Sequence, residues 1–592
     1  MIRNIFKAFA VFALLIASSS CSDFLDQESD HVIYADKNHL DNATDTVYSV
    51  IGIMNKLQVI ADRTILLGEM RGDLIDINEN TPSDLRDVAL FNIGSENKYN
   101  SPRDYYAIIN NCNYFISKAD VRLRNNRNET IFLKEYAAVK AFRAWTYLQL
   151  VLNYGEVPFF TEPILTKAEA DVDYPKKNIQ EICEFFINDI AEYADIETPG
   201  YGTIRSNDSK LFYFPIYILL GDMNLWAGHY KEAALSYYNY ISKRNGTNGA
   251  YPIGPLSTRW GGEVSHWRVF TDSWSANSFR SEGNTRTSEL ITMIPGDSIP
   301  SEGHYSELRN LFNSNEANEY QVSIKPSQSL IDLSAAQIYC HLSNGNDVVY
   351  APAGLSDYRT ADLRLSSVWT SRNDMRVSVG GISRELTDYS VIDKYVTRNV
   401  HIYRRTMVYL RMAEALNRAG YPRFAFEILK NGVNNRSIEA NVIPYYSADS
   451  TWIRQFNFPN NDYVLESRSR QQSENTMGIH GHGSGYSFLN EYYVMPDDTL
   501  ITDSLQRIDY QIDKVENLIV DEEALEFAFE GHRFYDLMRV ALRRNDPSYL
   551  ANRIYQRKGV DQEGTMRGLI KRDLNDTRSW YLNWNNKIGL GY

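Results

Sequence analysis

Cysteine is scarce in this 592-residue chain. Cys21, Cys112, Cys183 and Cys340 are the only four, and no two stand at CxxC spacing. That argues against a zinc knuckle or a redox dithiol as the organising chemistry. Cys112 and Cys183 fall within apolar helical patterns, where a buried thiol is expected. No Walker loop and no HExxH motif occurs, so neither P-loop phosphate binding nor zincin hydrolysis is indicated. Basic clusters are missing too. The 61 Lys and Arg are outnumbered by 75 Asp and Glu, for a net charge of −14, which argues against nucleic acid as a partner. Beyond the first 20 residues no run of 18 apolar residues appears, so no membrane-spanning helix is expected after them.

What is plentiful is aromatic. The chain has 41 Tyr and 9 Trp, more than packing needs, and amphipathic rings suit a binding surface. Most are nevertheless expected in the core. The most organised stretch is 214–241, FPIYILLGDMNLWAGHYKEAALSYYNYI. Tyr217, Leu220, Gly221, Gly228, Tyr230, Ala233 and Tyr237 stand where a tetratricopeptide repeat places its large, Leu-Gly, Gly, Tyr, Ala and aromatic residues. Gly221 and Ala233 let two antiparallel helices approach closely, with Tyr217 and Tyr237 filling the space beside them. Gly228 ends the first helix, because the residue past a C-cap often needs positive φ. An ordinary helical hairpin would show much of this pattern as well.

Helical periodicity is expected over 40–60, 104–119, 131–154, 179–194, 403–434 and 522–544. Within 131–154, Ala137, Ala138, Ala141 and Ala144 make a small-residue face for close packing, and Arg143 reads as a buried ion-pair partner. Glu414 is expected to pair with Arg411 and Arg418 along its own helix. Between these helices, 68–103 is rich in Asp, Asn, Gly and Pro and holds no period, which suggests a functional loop. The stretch 245–398 loses the helical period and carries Trp260, Trp267, Trp274 and Trp369. A second irregular stretch, 437–516, includes His480 and His482 among glycines.

At the N-terminus, Arg3 and Lys7 precede an apolar core at 8–17 and then Ser18-Ser19-Ser20-Cys21. This resembles a bacterial lipoprotein signal in which Cys21 is acylated, with a plain secretory signal cut near Ser20 as the alternative. From Cys21-Ser-Asp-Phe-Leu-Asp26 onward the chain resembles the SusD/RagB family of Bacteroidetes outer-membrane lipoproteins. The resemblance continues in Lys140-Ala-Phe-Arg143-Ala-Trp-Thr-Tyr-Leu148 followed by Tyr154-Gly155-Glu-Val157-Pro158, in Pro326-Ser-Gln328, and in Asp362-Leu-Arg-Leu365. Ala413-Glu414-Ala415 adds to it, and it is closest in Glu526-Phe-Ala-Phe-Glu530-Gly-His532-Arg533-Phe-Tyr-Asp536. Leu363 replaces the family's Pro, and Asn583-Trp584 replaces its "PIP".

That resemblance implies a mostly α fold, with tetratricopeptide-like helical hairpins as scaffold and large loop-rich insertions. Residues 1–20 would be signal peptide and 21–592 one SusD-like domain. Its scaffold would span about 38–244, 401–436 and 518–545, with irregular ligand-side insertions at about 245–400 and 437–516. It implies a lipid-anchored protein at the outer-membrane surface that captures oligosaccharides and caps a SusC-like TonB-dependent transporter. A peptide ligand, a surface glycan hydrolase and a scaffold that only docks the transporter are the alternatives. No catalytic set, metal or cofactor is expected. His480 and His482 lack a third metal ligand at a familiar spacing, and Glu530, His532 and Asp536 read as a structural ion-pair network. By position, Asp76, Asn78, Phe91, Tyr99, Trp267, Trp274, Tyr358 and Trp369 are the expected ligand contacts.

Overall fold

A computed structural model describes residues 43–204, 207–243, 259–263, 266–270, 289–296, 305–312, 323–342, 348–350, 361–372, 375–379, 382–386, 389–392, 394–395, 397–458, 478–485 and 490–584. Cys21 and the signal segment lie outside them, as do Trp274 and Tyr358. The fold is mostly helical. In chain order the elements used below are α1 (Ala43–Met70), β1 (Ile75–Ile77), α2 (Ser83–Ala89), α3 (Pro102–Lys118), α4 (Leu133–Tyr154), α5 (Ile179–Ile190), α6 (Ile216–Ala227) and α7 (Tyr230–Lys243). There follow β2 (Leu290–Ile294), β3 (Ile324–Pro326), α8 (Gln328–Ala335), α9 (Leu363–Val368), β4 (Val400–Arg404), α10 (Arg405–Arg418), α11 (Pro422–Lys430), α12 (Ser504–Phe527) and α13 (Arg533–Arg544). Each described strand pair is a two-stranded antiparallel ribbon. Among the described residues, no helix is long and apolar enough to cross a membrane.

Helices pack on their sequence neighbours: α3 on α4, α5 on α6, α6 on α7, α10 on α11. The Ala-rich face of α4 is buried, and Arg143 sits within it. Its guanidinium donates to Asp189 at 2.9 Å and to Asn113 at 2.9 Å, the ion pair expected of it. Cys112 and Cys183 are buried, and burial pushes the Cys112 thiol up to about 12. In the α6–α7 hairpin, the close approach is made by the Gly221 backbone against a ring. A Cβ there would lie 2.4 Å from Tyr237, so the nearest neighbour is Tyr237, not Ala233. The buried Tyr237 hydroxyl donates to Asp222 at 2.7 Å. Asp222 also accepts from Tyr403 at 2.7 Å and from Arg411 at 2.6 Å, tying the hairpin to β4 and α10.

Three expectations fail, each for a physical reason. The first helix runs ten residues beyond Ile60, to Met70, and the polar stretch after it is no open loop. Its 75–77 segment forms β1 against β3, 83–89 is helical, and Asp73 is a buried counterion that accepts from Arg533 at 2.6 Å. Secondly, the helix expected over 522–544 begins at Ser504 and breaks at 528–532, where Phe529 (φ 73°) and Gly531 (φ 84°) are left-handed. Thirdly, Glu414 ignores its helical neighbours. It accepts from Arg539 at 2.6 Å and from Arg543 at 2.8 Å, while Arg411 goes to Asp222 and Arg418 to Glu516.

Candidate functional site

The expected ligand contacts do not converge. Phe91 and Tyr99 are corrected to core residues. They are 2% and 5% exposed, and Phe91 packs on Phe534 at 5.9 Å between ring centres. The Phe91 ring is taken up by Phe534 of α13, and Tyr99 is buried in the core, so neither offers a face to a ligand. Asp76 lies in β1 opposite Lys325, largely buried, with its carboxylate accepting from the Ile77 amide at 2.9 Å. The Asn78 side chain shapes the following turn by accepting from the Asn80 amide at 2.9 Å. Trp267 lies on the strand His266–Phe270, opposite Gly262. Trp369 follows α9, half-buried against the core.

The chemically reactive residue types gather instead at the break between α12 and α13, and they are buried. Arg404 donates to Glu289 at 2.9 Å, Glu526 at 2.8 Å and Glu530 at 2.9 Å. Arg364 grips Asp362, Glu522 and Glu526 at 2.7–2.8 Å. His480 Nδ1 lies 2.7 Å from Glu522, and His482 Nδ1 lies 3.0 Å from Glu526. Lys394 donates to Glu530 at 2.7 Å and to the Ala528 carbonyl at 2.6 Å. Glu69 completes the cluster from α1 by accepting the amides of Phe529 at 3.0 Å and Gly531 at 2.8 Å. Burial pushes its carboxyl up to about 7 despite those amides. Burial and the nearby Arg411 hold the His532 imidazole well below its usual range, in its neutral form. Carboxylates matched to cations in this way hold elements together, and removing one partner strands a buried charge. Glu530 and Asp536, the latter accepting from Arg539 at 2.9 Å, are thus committed to ion pairs. Among the described residues, no group of three His, Cys, Asp or Glu is arranged to hold a metal ion.

An accessible site lies elsewhere. An open cleft of about 840 Å³ forms where α4 and α6 end and where α5 and α7 begin, with α13 as its floor. Trp226, Tyr230, Tyr581 and Leu542 line it together with Arg539, Arg543, Arg578 and Glu156. Trp226 is half-buried, and Leu542 is 39% exposed. The Arg539 guanidinium lies 5.3 Å from the Trp226 ring, and that of Arg543 lies 5.9 Å from the Tyr230 ring. Gln180, in the first turn of α5, donates to the Ala227 carbonyl at 3.1 Å and closes the rim. Rings and guanidiniums side by side can hold a ligand that has both an apolar face and a polar edge. Sequence reasoning missed this cleft. Its only signal was a large ring, Trp226, two residues before the glycine that ends α6.

Comparison with known proteins supplies the rest. A profile described as "SusD family" matches residues 489–583, the segment that carries the α12–α13 junction. The chain is 21% identical over 552 residues to the SusD-like protein P38 of Formosa agariphila, covering 91% of each chain. The chain is thus similar to SusD-like proteins over most of its length. Its fold is also that of SusD superfamily proteins of known structure. One from Bacteroides vulgatus has a TM-score of 0.52 at 14% identity, covering 92% of this chain and 96% of its own. Another, from Bacteroides thetaiotaomicron, has a TM-score of 0.51 at 14% identity, covering 91% and 95%. The SusD/RagB motif at 526–536 is therefore the buried junction itself. Its signature residues are buried and ion-paired there, and they build the fold.

Proposed function

We propose that this chain is a cell-surface lipoprotein that captures oligosaccharides and delivers them to a SusC-like TonB-dependent outer-membrane transporter. Likeness to a SusD-like protein over 91% of the chain is the observation that supports it. SusD-like proteins are in general binding proteins. The commitment of Glu530, His532 and Asp536 to a buried junction agrees with binding without turnover. In this reading 21–592 is one SusD-like domain anchored through acylated Cys21. Asp76, Asn78, Trp267, Trp274, Tyr358 and Trp369 stay as proposed contacts, and Phe91 and Tyr99 are withdrawn.

Calorimetry of the purified chain against soluble polysaccharides and peptides tests the ligand class. Saturable binding of a glycan without shortened products is expected. Cleavage would favour a hydrolase, and binding of peptides alone would move the chain to a peptide-binding role. Delivery is tested by co-purification with a transporter barrel from detergent extracts. Anchoring is tested by Cys21→Ser, which should leave the detergent phase, because stable anchoring needs the acyl chains. Unchanged partitioning of that variant would sink the anchor.

A further inference from the structure

The lining of the cleft at the ends of α4 and α6 carries more cations than carboxylates. It holds three guanidiniums, Arg539, Arg543 and Arg578, and one carboxylate, Glu156, in a chain of net charge −14. Arg539 and Arg543 are neutralised by Glu414, Glu516 and Asp536, none of which lines the cleft. Those carboxylates are buried, so they hold the guanidiniums from the side away from solvent. Arg578 is exposed and paired with Asp576 at 2.7 Å. An exposed pair of this kind is weak and can exchange its partner. The carbonyl ends of α4 and α6 oppose an anion, but each amounts to only about half a charge, and the start of α5 returns a similar positive one. Arg578, the one exposed guanidinium of the lining, is the full charge that can turn to an anion, and it outweighs these partial ones.

Trp226 and Tyr581 add ring surface beside those cations, and Leu225 and Leu542 extend the apolar floor. We propose that this cleft is a saccharide subsite that takes an acidic sugar, a uronate unit of an oligosaccharide. The pyranose face would lie on the Trp226 ring, and the carboxylate would meet the guanidinium fork of Arg578. The proposal rests on the glycan-binding reading above and adds a ligand class and a place. No residue lining the cleft comes from 68–103 or 245–398, so it is distinct from the contacts proposed there.

The test is calorimetry on the full chain with oligogalacturonates and oligomannuronates of three to six units, against neutral glucose oligomers of equal length. Wild type should prefer the acidic oligomers, and its affinity should fall with added salt, as screening requires. Trp226→Ala should weaken binding by about 2- to 12-fold, the loss expected of one stacked ring. Arg578→Glu should weaken it further and remove part of the salt dependence, while Arg578→Lys keeps the salt dependence and loses part of the affinity with the fork. If Trp226→Ala lowers the melting temperature, the exposed Arg578 variants carry the test alone. Neutral oligomers that bind as tightly as the uronates would overturn the proposal. A glycan bound with wild-type affinity by both Trp226→Ala and Arg578→Glu would overturn the cleft and leave the glycan reading standing. If no oligosaccharide of either kind binds, both fail.

Discussion

Two glycines with nearly the same φ stand at helix boundaries in this molecule, Gly228 just past the end of α6 and Gly531 in the break between α12 and α13, and their surroundings could hardly differ more. Gly228 has φ 81° and Gly531 has φ 84°. At Gly531 the space a Cβ would need is already filled: Ile65 Cα would lie 2.5 Å away and the Thr64 carbonyl oxygen 2.6 Å. Its amide is captured by Glu69 from a helix some 460 residues earlier in the chain. At Gly228 the nearest atom to such a Cβ is the Tyr230 hydroxyl at 3.9 Å, and the amide bonds back to carbonyls of its own helix. One glycine closes a tertiary lock; the other is a local cap on the rim of a cleft. The same backbone device therefore serves stability where charges crowd around it and leaves a surface open where they do not.

The comparison breaks first at the lock. Gly531→Ala combines left-handed strain with a backbone collision, a loss of roughly 2–6 kcal/mol. Urea unfolding followed by tryptophan fluorescence measures it. A loss no larger than that of Gly228→Ala would mean the junction relaxes freely and is no lock. Next comes the carboxylate that secures it. Glu69→Ala leaves two buried amides without an acceptor, at about 1–3 kcal/mol each. Denaturation at pH 5 should show a loss within that doubled range, and near-neutral behaviour would rule out Glu69 as the pin.

Acidity separates Glu69 from Glu414. Burial raises the folded-state Glu69 carboxyl to about 7, above its ordinary value of 4.5, so the folded state holds the extra proton between those values. Its contribution is complete below pH 4.5 and is lost as the pH rises through 7, on the order of 3 kcal/mol in all. Glu414 runs the other way. Burial opposes its ionisation, but Arg539 and Arg543 outweigh it and hold the carboxyl down to about 2. Its contribution is complete above pH 4.5 and is lost as the pH falls toward 2. Glu69→Gln should therefore flatten the decline in stability between pH 4.5 and 7 while leaving the acid limb in place. Stability profiles that stay parallel across that window would refute the assignment.

These features were unequally legible in the sequence. Arg143 could be read, because an arginine inside an Ala-rich helical face has few ways to be satisfied other than a buried carboxylate, and Asp189 supplies it. The helix break could not. The apolar period of 522–544 continues across it, and nothing local announces that Phe529 will adopt positive φ; Glu69 imposes that from α1. Glu414 misled for the same reason. Arg411 and Arg418 stand at the right helical spacing, but such a surface pair contributes only a few tenths of a kcal/mol, and two buried guanidiniums of α13 win. The stretch 68–103 looked like a loop because its polar residues are counterions and turn formers for distant partners, as Asp73 is for Arg533. The cleft was invisible because each of its residues, taken alone, is an ordinary helix-end residue. Only the meeting of α4, α5, α6, α7 and α13 turns them into a surface.

Gly228→Ala gives the smallest effect and sharpens the comparison most. An alanine Cβ there makes only ordinary contact with Tyr230, at 3.9 Å, so the cost is the left-handed conformation, about 1–2 kcal/mol. The added methyl is too far from any neighbour to repack the α6–α7 hairpin, whose contact is made by Gly221 and Tyr237. Thermal unfolding should show a modest drop, and far-ultraviolet circular dichroism should be unchanged. The variant also probes the cleft, because Trp226 and Tyr230 flank position 228 and depend on that cap for their relative placement. If the cap is purely local, uronate binding should change by less than about threefold, well within what the loss of one stacked ring would produce. A stability loss equal to that of Gly531→Ala would mean the two glycines play the same part, and the contrast between lock and rim would fall.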